Sequence, residues 1–281
     1  MYAAIGISKQ AVHQHRHRTH ERSAVVGQLI ARAQTLRRAH PGCGVEKMYY
    51  QLKPTGIGRD RFIELMMEHG FRIKRPRHGR RTTSPGKIIY SNLIRGLVVN
   101  QPGQVWQSDI TYVETPAQLC YVVFLIDVYT KKIVGYEAST HMRASANVRA
   151  LRRALSRHPA PLIHHSDRGS QYSSKEYLAI LERAHTTPSM GLEARENAYA
   201  ERINKTIKEE YLHYWKPKNL QQLKQQLKKA VHQYNHDRGH EHLKKMTPNA
   251  FENEWYNNPT FKKPVITIFD NSKYLKPVNR I

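Results

Sequence analysis

No stretch restricts this chain more than Val105 to Val113, VWQSDITYV, a run that reads as a covered β-strand with one carboxylate, Asp109, in its middle. Alternation sets Trp106, Ser108, Ile110 and Tyr112 on one face and Val105, Gln107, Asp109, Thr111 and Val113 on the other. A carboxylate alone among apolar neighbours is costly, so the rest of the chain must supply a cation or enough donors. On this stretch alone, an aspartate that caps a turn or pairs with an arginine is the simpler reading.

Charge narrows the partner. Across 281 residues, 46 Lys and Arg stand against 22 Asp and Glu, a formal net charge of +24. Such an excess repels itself unless phosphates neutralise it, which points to a polyanion; basic packing proteins share this signature. Residues 1 to 95 hold 19 Lys and Arg against 5 Asp and Glu, so +14 of the total falls in the first third. Its densest part is Arg72 to Arg81, RIKRPRHGRR, where Pro and Gly predict an extended arm whose Arg72, Lys74, Arg75, Arg77, Arg80 and Arg81 lie along phosphates. Mean hydropathy is −0.70, and neither a membrane-length apolar run nor a signal-peptide pattern is present, so a cytoplasmic protein without a membrane partner is expected. Cys43 and Cys120 are too few for a disulfide framework or a paired-cysteine zinc site. His13, His15, His17 and His20, interspersed with Arg, read as a solvated basic helix face rather than metal ligands.

In chain order, Ser8 is positioned to cap a first helix running to about residue 22, and a second is expected from Ala24 to His40, stopped by His40-Pro41-Gly42. Val45 to Leu52 and Arg59 to His69 are short amphipathic helices across a Gly-containing turn, as in a helix-turn-helix or a plain helical hairpin. After turn signals at Asn100 to Gly103 the pattern changes to strands: Val105 to Val113, Leu119 to Val128 and Ile133 to Ala138. A helix from Ser145 to His158 and a short strand from Pro161 to His165 follow, the latter ending in Ser166-Asp167. Asp127 precedes a tight turn, where aspartate commonly bonds locally, and is read as structural. Lys175 to Arg183 is helical, His185 to Arg195 reads as loop, and Glu196 to Tyr211 is a helix on which Asn197, Glu201, Lys205 and Lys208 share a face. Asn219 to Asn235 is a helix with a basic outer face, and VITIF in the basic tail is one further strand.

Asp109, Asp167 and Glu201 thus come from a strand, a strand end and a following helix, separated by 58 and 34 positions. Three such acids suit two-metal phosphoryl chemistry, in which divalent ions about 3.5–4 Å apart bind hard oxygen ligands. Here the resemblance to a known family is plain. VWQSDITY at Val105, HSDRGSQY at His165, NAYAERINKTIKEE at Asn197 and YNHDRGHEHLKKMTP at Tyr234 resemble the transposases of the retroviral-integrase superfamily. More narrowly, they resemble the second-reading-frame product of the bacterial insertion-sequence-three family. Upstream, HPGCGVEKMYYQL and IGRDRFIELMMEHGF resemble that family's helical DNA-binding segment, so the likeness covers about residues 24 to 252.

The resemblance implies an α/β fold, a ribonuclease-H-like mixed sheet flanked by helices, preceded by a small all-α helix-turn-helix-like domain. The expected order is a helical, basic DNA-binding region at 1–85, a linker at 86–103, a catalytic core at 104–215, and a helical extension with a basic tail at 216–281. It implies two Mg²⁺ or Mn²⁺ ions, with Asp109 bridging both, Asp167 completing one site and Glu201 the other. Lys208, and less directly Lys205, would approach the substrate DNA end. The implied activity is binding of terminal inverted repeats in double-stranded DNA, metal-dependent 3′-end cleavage and strand transfer, by a homo-oligomer and with an upstream first-frame helix-turn-helix product as partner or fusion. A ribonuclease-H-like nuclease without strand transfer and an inactive DNA-binding regulator are the competing readings. Thirty-three residues separate Asp167 from Glu201, two fewer than the family's pattern, because a loop is shortened to GLEARE. Glu193 and Glu196 therefore stand as alternatives for the third acid.

Overall fold

The computed structural model describes residues 8–73, 90–191 and 194–268, in a chain that forms two compact units, Met1–Arg75 and Pro76–Ile281. In the first unit, α1 (Lys9–Ala39) starts at Ser8, whose side chain accepts from the Ala11 N–H. The expected break near residue 22 does not occur. Thr19 to Ser23 contains neither Gly nor Pro, so nothing interrupts the backbone ladder before His40. α2 (Val45–Leu52) and α3 (Arg59–Glu68) follow. Leu29 and Ala33 of α1 pack with Met48, Phe62, Leu65, Met66 and Phe71 into one small core. Arg32 and Arg37 of α1 donate to the carbonyls of Leu52 and Phe71 at 2.8 and 3.0 Å, tying off chain ends that the core leaves open.

The second unit is built on a five-stranded mixed sheet. Its strands are β2 (Val105–Glu114), β3 (Leu119–Asp127), β4 (Ile133–Ser139), β5 (Ile163–Ser166) and β6 (Thr187–Met190), ordered β4-β3-β2-β5-β6. β4, β3 and β2 are antiparallel neighbours, whereas β2, β5 and β6 run parallel. β2 is therefore the central strand, and its two faces are divided as the alternation predicts. Trp106 joins Val123, Leu125 and Val134 under α4 (Ala144–Leu155) and α5 (Lys175–Arg183). Val113 joins Val122, Phe124 and Ile126 under α6 (Ala198–Ile207) and α8 (Leu220–His236). The result is a three-layer α/β/α core.

β6 corrects the expected loop at residues 185–195. Pro188 hides the strand in the sequence, yet it pairs with His164 on an edge, where a residue lacking an N–H is tolerated. The turn between β3 and β4 is held by Asp127, which accepts from Gly103 N–H at 2.7 Å and from Thr130 N–H and Oγ1 at 2.7 and 2.9 Å. Beyond α6 the helix widens into a π-helical turn, Lys208–Leu212, and ends in α7 (His213–Trp215). α9 (Pro248–Asn257) follows α8, and a two-stranded ribbon joins β1 (Val98–Val99) to β7 (Ile266–Thr267) in the VITIF segment.

Candidate active site

β2 and β5 pair in parallel as far as Ser108 opposite Ser166. Asp109 and Asp167 are the next residue on each, so the register makes them neighbours at the carboxyl end of β5, where sheet enzymes expose their chemistry. Each keeps an exposed edge but is surrounded closely enough by protein that its carboxyl is held above the usual range. For Asp109 burial is the largest cause, followed by the charges of Asp167 and Glu201. The Ile110 N–H and the Asn204 amide pull the other way, leaving it at about 8. Asp167 is raised chiefly by burial, against the Gly169 N–H and the charge of Arg168. Gly169 N–H donates to Asp167 Oδ1 at 3.0 Å. A Cβ there would lie 2.8 Å from Gln171 Oε1 and 3.0 Å from that carboxylate oxygen, so a side chain at this position would push on the Asp167 carboxylate.

α6 is fixed to the same strand by amides. Gln107, completely buried, accepts at Oε1 from the N–H groups of Tyr199 and Ala200 at 3.1 and 3.3 Å, and its Nε2 donates to the Glu196 carbonyl at 3.1 Å. Those N–H groups lack partners within the helix. In return Asn197 Nδ2 donates to the Ser108 carbonyl at 2.8 Å. The residue two before Asp109 thus caps the helix that carries Glu201. One helical repeat on, Asn204 Nδ2 donates to Asp109 Oδ2 at 2.7 Å, and its Oδ1 is buried with no hydrogen-bond partner. Further along, Lys208 Nζ lies 3.4 Å from Thr111 Oγ1 and 4.6 Å from the centre of the Tyr112 ring. Burial holds the Lys208 ammonium below its ordinary range.

Of the helix face expected from the sequence, Asn197 and Lys208 meet the sheet. Glu201 is exposed, near enough for its charge to act on Asp109. Lys205 is also exposed, and its ammonium stands 3.9 Å from Glu209. Among the described residues, no group of three or more His, Cys, Asp or Glu side chains converges as metal ligands would, so Glu201 does not close a cluster with the two aspartates. Glu196 is only 2 % exposed and is ion-paired with Arg95, which places it in the support beneath α6. Glu193, Lys74, Arg75, Arg77, Arg80 and Arg81 lie outside the described residues, while Arg72 is exposed on the first unit. Sequence reading missed Gln107 and Asn204. Counting along the helix could have found Asn204: from Asn197, seven residues return to within about 20° of the same face, whereas the eight to Lys205 overshoot by about 80°.

Comparison with known proteins places this geometry in a class. Two integrase core domain models match, over residues 99–195 and 185–248. A chain of the simian T-cell lymphotropic virus intasome in complex with PP2A regulatory subunit B56 gamma shares the fold at a TM-score of 0.51 and 16% identity, over 79% of this chain and 74% of that one. An insertion element IS600 31 kDa protein from Shigella sonnei is 34% identical over 76% of this chain and 82% of its own length. The transposase for insertion sequence element IS629 from Shigella sonnei is 34% identical over 77% and 76%. Transposase InsF for insertion sequence IS3A from Escherichia coli (strain K12) is 33% identical over 46% of each. The chain belongs to the insertion-sequence transposases with an integrase core, proteins of DNA transposition whose chemistry is polynucleotidyl transfer. No described helix is long and apolar enough to cross a membrane.

Proposed function

We propose that the protein binds the terminal inverted repeats of its own element and catalyses 3′-end cleavage followed by strand transfer, with Asp109, Asp167 and Glu201 as the acid triad. The observation that carries this reading is the meeting of Asp109 and Asp167 across the parallel β2–β5 register, where burial and their mutual repulsion favour a cation between them. The donor set suits a hard divalent ion: two carboxylates held against each other and, beside Asp109, the unpartnered amide oxygen of Asn204. Asp109 and Asp167 would hold Mg²⁺ or Mn²⁺, with Glu201 joining when α6 and DNA come together. When bound, a pair of such ions activates the attacking oxygen and stabilises the leaving one.

The chain's own residues do the rest. Gln107 and Asn197 set the height of α6 on β2, Asn204 orients the Asp109 carboxylate, and Lys208 offers a cation at the rim for a DNA phosphate. In the first unit, Gln34, Arg37, Arg38 and His69 line a depression whose charge suits a second stretch of phosphate backbone, and the basic sequence from Arg72 to Arg81 is assigned the same partner. Homo-oligomers on DNA, and a first-frame helix-turn-helix product as partner or fusion, complete the proposed machinery. The test is cleavage and joining of a labelled duplex ending in the repeat that flanks the gene, with Mg²⁺. Asp109→Asn and Glu201→Gln should each bind this DNA but lose about a thousandfold or more of both reactions. An active Glu201→Gln would end the role of that residue, wild-type cutting without joining would make the protein a nuclease, and binding without cutting would make it a regulator.

A further inference from the structure

One motif has no part in the chemistry above: YNHDRGH, Tyr234 to His240, at the end of α8. Its Asn235 side chain bonds both ways with Ile133, accepting from the N–H at 3.0 Å and donating to the carbonyl at 2.9 Å, where β3 and β4 shift register. α8 is thereby pinned to the sheet. Three residues on, Arg238 reaches across to Glu210 with both arms of its guanidinium, Nε to Oε2 at 2.7 Å and Nη2 to Oε1 at 2.8 Å. The guanidinium also lies over the Tyr234 ring at 5.5 Å and contacts the His240 ring at 3.2–3.3 Å. Gly239 allows the close return of the loop, since a Cβ there would stand 2.6 Å from the Lys245 carbonyl.

Glu210 lies in the middle of the π-helical turn Lys208–Leu212. A π-turn inserts a residue into the helix and is rarely kept without a local reason. Here it reconciles two demands on one helix. Upstream, the phase must aim Asn204 and Lys208 at β2; downstream, Tyr211 and Leu212 must both enter the core against α8. Lys208 is the first residue of that turn, so the geometry that holds the turn open also sets where its ammonium goes.

We propose that the Arg238–Glu210 pair is a positioning device that locks the π-turn and thereby delivers Lys208 to the Thr111–Tyr112 rim, where it meets a DNA phosphate. This rests on the reading of Lys208 as a DNA contact. The test measures binding of the full chain to a fluorescent duplex ending in the flanking repeat, in metal-free buffer over a range of salt. Lys208→Ala should reduce the slope of log affinity against log salt by about one phosphate contact. Glu210→Gln and Arg238→Lys, the second keeping the charge but not the fork, should reduce it equally, and Lys208→Ala added to either should change nothing more. Glu210→Gln removes a negative charge, which by simple electrostatics would strengthen DNA binding, so a weakening is specific to the lock. Thermal melts establish that each variant is folded; if Glu210→Gln is not, Arg238→Lys decides. Should Lys208→Ala weaken binding while both lock variants leave it intact or add to it, the lock is overturned and the Lys208 contact stands. Should Lys208→Ala leave the slope unchanged, the contact itself falls and the lock with it.

Discussion

Two aspartates on neighbouring strands separate a structural carboxylate from the one proposed to be catalytic. Asp127, at the end of β3, receives three hydrogen bonds, and its neighbourhood is complete within the chain. Asp109, on β2, receives the Asn204 amide and the Ile110 N–H but faces the charges of Asp167 and Glu201. Burial raises both carboxyls. What distinguishes them is the balance: at Asp127 three donors meet the single like charge of Glu252, whereas at Asp109 two donors meet those of Asp167 and Glu201.

The sharpest way to break the comparison is to neutralise each in turn. Asp109→Asn should abolish cleavage and joining while raising the melting temperature of the metal-free protein, because it removes the cost of burying an ionisable carboxyl beside two others, about 1–3 kcal/mol, or several degrees. Asp127→Asn should keep activity within tenfold yet lower stability by about 2 kcal/mol, since an amide cannot accept all three bonds. If both variants shift stability in the same direction, the distinction fails.

A finer test uses pH. A carboxyl whose folded value lies above its ordinary 3.8 binds its proton more tightly in the folded chain, so its contribution to stability is whole below 3.8 and is lost as pH rises through about 8. Without metal, the melting temperature of wild type relative to Asp109→Asn should therefore fall across that window. Adding Mg²⁺ should displace the proton, so calorimetry in two buffers of different ionisation heat should show proton release at neutral pH and tighter binding toward pH 8. Asp109→Asn should release fewer protons, since of the two aspartates only Asp167 then remains to titrate.

The smallest effect concerns the support. Gln107→Met keeps the shape but not the hydrogen bonds, and should cost about 1–3 kcal/mol in stability and roughly tenfold in joining at unchanged DNA affinity. Equal losses of joining and of DNA binding would argue that Gln107 serves packing alone.

Much of this was legible in the chain itself. The strand around Asp109, the hairpin around Asp127 and the cap at Ser8 all follow from period and turn chemistry. The continuous α1 was not, because a dense basic stretch without Gly or Pro looks like a boundary when only apolar periodicity is followed. β6 was hidden by Pro188, which only its place on the sheet edge excuses. Gln107 could not be recognised as a cap, since its helix lies some 90 residues away and capping rules are local. The π-turn is equally silent, because Arg238, the partner of its Glu210, lies 28 residues on, in the loop after α8.

The place of β2 in the middle of the sheet has a consequence for how the protein fails. A strand hydrogen-bonded on both flanks opens only when the whole unit does, so the backbone amides from Val105 to Ser108, leading into Asp109, should be among the slowest to exchange in the molecule. α6 is tethered to that strand through side-chain amides, and so belongs to a shallower level of the same hierarchy. Warming would separate the two levels: the chain would lose its working arrangement by releasing a helix from an intact sheet, and recover it on cooling by redocking rather than refolding.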